Sequence, residues 1–235
     1  MEKTKNGRTE MKIRYFGHSA FMLTNGAGLR VLIDPFLDDN PLSPVKSDEI
    51  DAEYIIATHA HADHLGDSLK IAKRCDATII GVAELAWYVE SKGCKAHAMQ
   101  IGGAYSFPFG RVKLTPALHG SQTPEGQYAG LAAGVLLWVD GMCIYHAGDT
   151  GLFYDMKLIG EMNEVDCFIV PIGDNFTMGI EDALKAVEFV NPKKVLPMHY
   201  NTWPVIGADP EEFARKVNAM GRVCLTLKPG DELQI

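Results

Sequence analysis

Cysteine is scarce in this sequence and has no partner pattern. Cys75, Cys94, Cys143, Cys167 and Cys224 are odd in number and widely spaced, and no CxxC occurs. That fits a reducing compartment better than a disulfide framework. Most of the five lie in apolar runs and read as packing thiols. Long apolar runs are missing too. The longest uncharged one, Ala129 to Val139, falls well short of the roughly 20 residues a spanning helix needs. The opening "MEKTKNGRTEMK" is polar and has no apolar core of the signal-peptide kind. Positive charge is also in deficit. Lys and Arg number 22 against 30 Asp and Glu, a formal net charge of -8, which works against broad binding to nucleic acid or anionic membranes. The expectation is a cytoplasmic protein without a membrane partner; self-association into a homo-oligomer stays open. Linkers, low-complexity tracts and repeats are absent as well. The 235 residues, 47% of them hydrophobic, read as a disordered or extended tail at 1–10 followed by a single domain at 11–235.

What is present is a run of short strands. "KIRYFGH", "FMLT" and "LRVLID" come first, then a loop rich in Pro, Asp and Asn, "PFLDDNPLSP", then the buried-type strand "YIIAT". "GDSLKIAKRC" and "VAELAWYVESKG" have helical spacing, with strands "ATIIG" and "HAMQI" beside them. The middle is strand-rich again: "GRVKLTPALH", "GLAAGVLLWVD" and "MCIYHAGD". The last third alternates strand "DCFIVPI", helix "IEDALKAVEFV", strand "KKVLPMH", helix "PEEFARKVNAMG" and strand "VCLTLK". Strand runs with interleaved helices imply helices packed outside two β layers, an α+β arrangement.

Histidine is sparse, eight in all, yet three fall within "THAHADHLGD" at 58–67. His59 and His61 are two apart, and Asp63 and His64 follow at once. The cluster leaves an apolar strand, so it sits on a turn whose base that strand fixes. Imidazole and carboxylate together suit Zn²⁺, Mn²⁺ or Fe²⁺. Without a cation such crowding would be costly, since the groups compete for protons or repel one another. Further ligand-type residues end other strands: His119 after "VKLTPAL", Asp149 in "HAGDTG" and His199 after "KKVLPM".

The stretches "YFGHSAFML", "LIDPFL", "THAHADHLGD", "ALHG", "HAGDTG" and "PMHYNT" resemble the metallo-β-lactamase fold superfamily. Within it they resemble the uncharacterised metal-dependent hydrolases, near the ascorbate-6-phosphate type of lactonase and the N-acylphosphatidylethanolamine phospholipases D. The resemblance implies a four-layer αββα sandwich with two central mixed sheets and two divalent metal ions, Zn²⁺ first, with Mn²⁺ or Fe²⁺ as alternatives. It implies His59, His61 and His119 at one metal, Asp63, His64 and His199 at the other, and Asp149 bridging. Asp63 and Asp149 become the catalytic carboxylates, Asp63 orienting the hydroxide between the metals. His61 stands where the superfamily's diiron oxidoreductases typically carry Glu, which favours a hydrolase.

Around this set lie residues with weaker signals. Asp34, at a strand end, is expected to accept from a ligand histidine. His18 in "GHSAF" either faces the site as a hydrogen-bond donor or proton relay or is a structural turn histidine, and His146, three residues before Asp149, either supports the site or is a buried strand histidine. Asp174 and Thr177 are candidates for the rim, and Tyr200, Asn201 and Trp203 for substrate contact. Glu181 and Asp182 fill the first turn of a helix, which weakens a phosphate site there. His97, far from any motif, reads as a surface residue. The function expected is hydrolysis of a small lactone, ester or phosphodiester. The rivals are a tRNA-maturation type of nuclease, for which no basic arm is visible, and a non-catalytic metal-bound ligand-binding module.

Overall fold

The computed structural model describes residues 11–235; the tail expected at 1–10 lies outside the described residues. Strands β1 (Lys12–Gly17), β2 (Ala20–Thr24), β3 (Arg30–Ile33) and β4 (Tyr54–Ile56) come first. One-turn helix α1 (Ala62–Leu65) and helix α2 (Ser68–Cys75) lead to β5 (Thr78–Val82), α3 (Ala83–Ser91) and β6 (Lys95–Met99). Then come β7 (Ala104–Phe107), β8 (Gly110–Pro116), β9 (Ala133–Val139) and β10 (Met142–His146). Helix α4 (Met156–Met162), β11 (Cys167–Pro171), α5 (Ile180–Val190), β12 (Lys194–Met198), α6 (Pro210–Ala219), β13 (Val223–Cys224) and β14 (Glu232–Gln234) complete the chain.

The strands form two mixed seven-stranded sheets, ordered β14-β1-β2-β3-β4-β5-β6 and β13-β12-β11-β10-β9-β8-β7. The period-2 rule sorts the second sheet's side chains into two cores. Val135, Leu137, Ile144, Ile169 and Leu196 point inward and pack with the first sheet, while Leu136, Tyr145, Phe168, Val170 and Val195 point out onto α4, α5 and α6. On the other side α2 and α3 cover the first sheet through Ile71, Ala72, Leu85 and Val89. Val31, Leu32 and Ile33 are all buried, as expected for a strand covered on both faces. The result is the four-layer αββα order expected.

Strand direction then places the chemistry. β1 and β3 are each antiparallel to β2, and β4 is parallel to β3, so β1, β3 and β4 run together. In the other sheet β8 and β10 are each antiparallel to β9, and β11 and β12 are parallel to β10. Each set therefore ends at one edge of its sheet. His18 follows β1, Asp34 follows β3, the 59–64 cluster follows β4, His119 follows β8, Asp149 follows β10 and His199 follows β12. No helix among the described residues is long and apolar enough to cross a membrane.

Four elements depart from the sequence reading. The metal-type cluster, expected on a turn, includes the single helical turn α1, and α4, β7 and β14 were not expected at all. All five cysteines are free; Cys75 is half-buried and the other four are buried.

Candidate metal centre

Asp34 organises the deep side of the centre. It sits at φ 46° just past β3, completely buried. Its carboxylate accepts from the Thr58 amide (2.8 Å), the Thr58 hydroxyl (2.7 Å) and His64 Nδ1 (2.7 Å). Because the Thr58 hydroxyl donates to Asp34, it accepts from His59 Nδ1, 3.0 Å away. One buried carboxylate thereby sets both rings, directly for His64 and through Thr58 for His59. In both rings Nδ1 is thereby engaged and Nε2 faces the centre, the nitrogen that a bound cation would take in place of a proton. Thr58 went unremarked in the sequence; its position between a strand and the first histidine was the available signal.

The free nitrogens converge with the other expected residues. One group is His59, His61 and His119; a second is His18, Asp63, His64 and His199; a third, His59, His64 and Asp149, overlaps both. Within each group the ligand-type atoms lie within 4.8 Å of one another. Asp149 Oδ2 stands in the middle, 3.0 Å from His199 Nε2, 3.2 Å from His64 Nε2 and 3.6 Å from His119 Nε2. Gly148, at φ 65°, lets the chain pass there; a Cβ on it would lie 2.6 Å from the Ala133 carbonyl oxygen.

His18 joins the second group from β1. Asp63 can only accept, so His18 Nε2 donates to it (3.1 Å) and Nδ1 accepts from the Thr202 hydroxyl (2.8 Å). Its carbonyl accepts from the His199 amide at 2.9 Å. His18, Asp34 and His199 are three non-glycine residues at positive φ, each immediately after a strand. Such strained positions cluster where the surroundings over-determine them.

Protonation follows from these neighbours. Burial pushes the His59, His61 and His119 imidazoles below the ordinary histidine range, so they are neutral near pH 7. Burial brings His18 down to about 4, against the opposing hydrogen bond to Asp63. His64 is opposite: burial lowers it, but Asp149, Asp34 and Asp63 outweigh burial and hold it well above the ordinary range. Burial would raise Asp149 and Asp63, yet the imidazoles beside them keep both below the usual carboxylate range. Positive charge is wanted between His64 and these carboxylates. His64 Nε2 and Asp149 Oδ1 are buried without a hydrogen-bond partner, a costly condition in the absence of a cation. The donor set, imidazole nitrogens and carboxylate oxygens, fits a divalent transition-metal ion.

The remaining candidates take other places. His146 is buried between the sheets: Nδ1 accepts from the Gly148 amide and Nε2 donates to the Ser19 carbonyl. Asp174 is exposed, at φ 61°, and accepts from the Asn175 amide. The Thr177 hydroxyl turns back to the Met178 carbonyl. The Asn201 side chain closes its own loop, bonding both the amide and the carbonyl of Ala208. Tyr200 packs with the outer core beneath α5 and α6, where burial pushes it up to about 12. Trp203 leans on His18 with ring centroids 5.1 Å apart. His97, expected as a plain surface residue, is half-buried and stacked on Tyr105 and Phe107. The aromatic side chains of the adjoining edge strand draw it in.

Comparison with known proteins gives the family. Residues 12–199 match the family described as "Beta-lactamase superfamily domain", which together with the two-sheet sandwich defines the class as the metallo-β-lactamase fold. The chain is 53% identical over 223 residues to a UPF0173 metal-dependent hydrolase of Carboxydothermus hydrogenoformans, covering 94% of this chain and 98% of that one. It is 48% identical over 225 residues to one from Thermus thermophilus, covering 96% and 99%. The chain belongs to the UPF0173 metal-dependent hydrolase family. Among solved structures it superimposes on Igni18, a metallo hydrolase from the hyperthermophilic archaeon Ignicoccus hospitalis. The TM-score is 0.89 at 38% identity, over 97% of this chain and 99% of that one.

Proposed function

We propose that the centre holds two divalent cations, Zn²⁺ first among them, and that the protein is a cytoplasmic hydrolase of a small lactone, ester or phosphodiester. His59, His61 and His119 would hold one cation, Asp63, His64 and His199 the other, and Asp149 both. The observation that carries this reading is the position of Asp149 Oδ2, within 3.6 Å of imidazole nitrogens from both sets. Bound there, the cations supply Lewis acidity and lower the pKa of a coordinated water to roughly 7. The chain's own part is orientation. Asp34 and Thr58 fix the tautomers of His64 and His59, and His18 holds one oxygen of Asp63. The buried floor excludes bulk water on one side and strengthens every charge interaction within it. One domain spanning 11–235 is sufficient for all of this, since both sheets contribute.

A small substrate is favoured over RNA because four segments beside the centre carry no cation. "ALHGSQ", "HAGDTG", "GDNFTMG" and "HYNTWP" have neither Lys nor Arg, and a polyanion gains its affinity from such contacts. Elemental analysis of protein purified without chelator should find about two divalent ions per chain, with hydrolysis of small lactones or phosphodiesters that depends on them. At most one ion under saturating supply would overturn the binuclear reading. Efficient, salt-sensitive cleavage of precursor tRNA with small esters untouched would overturn the substrate reading.

A further inference from the structure

The edge of the centre has a chemical character of its own. Thr150, next to Asp149, accepts from two separate segments: its hydroxyl from the Leu118 amide at 2.9 Å and its carbonyl from the Met178 amide at 3.0 Å. The segments bearing Leu118 and Phe176 are thus both pinned to the residue that follows Asp149. Both side chains stand more than half exposed, at 59% and 54%. Across the centre, Trp203 rests on His18 and on Phe36, and Val205 on the same loop is exposed. A single exposed apolar residue needs no explanation. Three large exposed ones, Leu118, Phe176 and Val205, with the half-buried Trp203, on the loops surrounding one polar cluster form an apolar rim of the kind that meets a ligand.

Charge points the same way. Residues 16–29, 34–45, 57–69, 117–133, 147–156, 172–184 and 199–214 contain no Lys and no Arg. These stretches flank the centre; the one cation in the long β3–β4 loop that begins at Asp34, Lys46, is turned to the Asp38 carbonyl. Helix α5, which follows the Phe176 segment, carries Glu181 and Asp182 in its first turn, so its dipole is already answered. An anionic group remote from the reacting bond would find no Lys or Arg on these stretches, where Asp174 is exposed. Sites that hold phosphate or carboxylate groups use Arg, Lys or free helix amides.

We infer that the substrate is an uncharged ester or lactone whose alkyl or acyl chain lies against Leu118, Phe176, Trp203 and Val205, in preference to a phosphorylated or carboxylated one. This rests on the hydrolase reading above and narrows it. The reaction balances with water alone: oxygen adds to the acyl carbon, the acyl C–O bond breaks, and the departing alkoxide takes up a proton.

The test separates binding from turnover. Zn²⁺-loaded protein is titrated calorimetrically with γ-lactams, neutral mimics that resist hydrolysis, bearing linear alkyl chains of increasing length. A second series carries the same chains with a terminal carboxylate. Affinity should rise about two- to fourfold per methylene over the first few, and the carboxylate should weaken it at least ~10-fold, since a charge on an apolar rim without a cation loses hydration it does not regain. Leu118→Lys and Phe176→Lys should reverse that preference while zinc content stays the same. Absence of binding, no chain-length dependence, equal or tighter binding of the carboxylated series, or lysine variants that bind like the parent would each overturn the inference. The matching alkyl lactones are then assayed for hydrolysis. Lactams that bind as stated beside lactones left intact would sink the hydrolase reading and leave the apolar rim standing.

Discussion

The two sides of the metal centre are built differently. On the deep side, Asp34, His59, His64, Asp149 and His199 are almost wholly buried. Asp34, Thr58 and His18 tie that side together through hydrogen bonds of 2.7 to 3.1 Å. On the open side, the half-buried His61 has its one side-chain hydrogen bond to His59, at 3.0 Å, and packs edge-on against His119, whose side chain is 14% exposed. The difference separates two tasks. A fixed deep wall sets where cations rest, and a looser outer wall lets ligands exchange without dismantling it. Pre-organised ligands lose little freedom on binding, whereas outer ones must be ordered at that moment.

The strongest way to break this contrast is to remove the residue that both sides share. On the binuclear reading proposed above, Asp149→Ala should lower cation content and reduce hydrolysis at least ~100-fold, because the fixed spacing of two cations is what would make them act together. A variant that kept two ions per chain by elemental analysis would deny Asp149 its place between them.

Acid should sharpen the contrast next. In the metal-free protein His18 titrates at about 4, against about 6.5 in an unfolded chain. Between these values the unfolded chain binds more protons, so stability is intact above pH 6.5 and falls as the pH drops toward 4. The shift corresponds to roughly 3 kcal/mol from His18, with burial-lowered His59 and His146 adding in the same direction. His64, raised in the folded state, acts oppositely and above this window: its contribution fades as the pH climbs through its folded pKa. Chelator-treated protein unfolded in urea at several pH values reads the slope. His18→Asn should flatten it more than His119→Asn; equal slopes would mean the two sides are alike.

A smaller effect is expected from loosening one wall at a time. Asp34→Asn keeps the shape but loses the acceptor for two rings. It should weaken cation binding about 10- to 100-fold, the usual cost of losing such a partner, with the native far-ultraviolet spectrum retained. Wild-type affinity in a competitive chelator titration would return Asp34 to the role of a turn residue. Smallest of all, His97→Ala lies outside both walls. It should leave cation content and activity unchanged and cost about 1 kcal/mol from lost stacking on Tyr105 and Phe107. A change in cation content would contradict that separation.

Much of the fold and the centre could be read from the chain because both rest on local patterns. β4 announces itself as an apolar run broken by His59, and α5 spans 180–190 as its spacing implies. His119, Asp149 and His199 stand out because each follows an apolar strand. What escaped depends on partners distant in sequence. "AYSF" is short and mostly exposed, and becomes β7 only through pairing with β8. Glu232–Gln234 returns to the opposite sheet to pair with β1. The helical turn at 62–65 lies inside "ADHL", whose residues read first as ligands. Asn201 looked like a substrate contact by its nearness to His199, yet its amide matches the Ala208 peptide seven residues on.

The left-handed backbone at His18, Asp34 and His199 also bears on how this protein can change. Asn, Asp, His and Gly visit that conformation readily, whereas β-branched and bulky side chains do so at a cost. Three positions of the centre are therefore filtered twice, by the chemistry they supply and by the shape of the main chain. Valine, isoleucine or threonine there would be selected against even if the hydrolytic reaction were no longer needed. A redesign toward another metal has freer choice at His61 and His119, whose φ values lie outside the left-handed region. New chemistry in this scaffold is accordingly expected to begin at its outer wall.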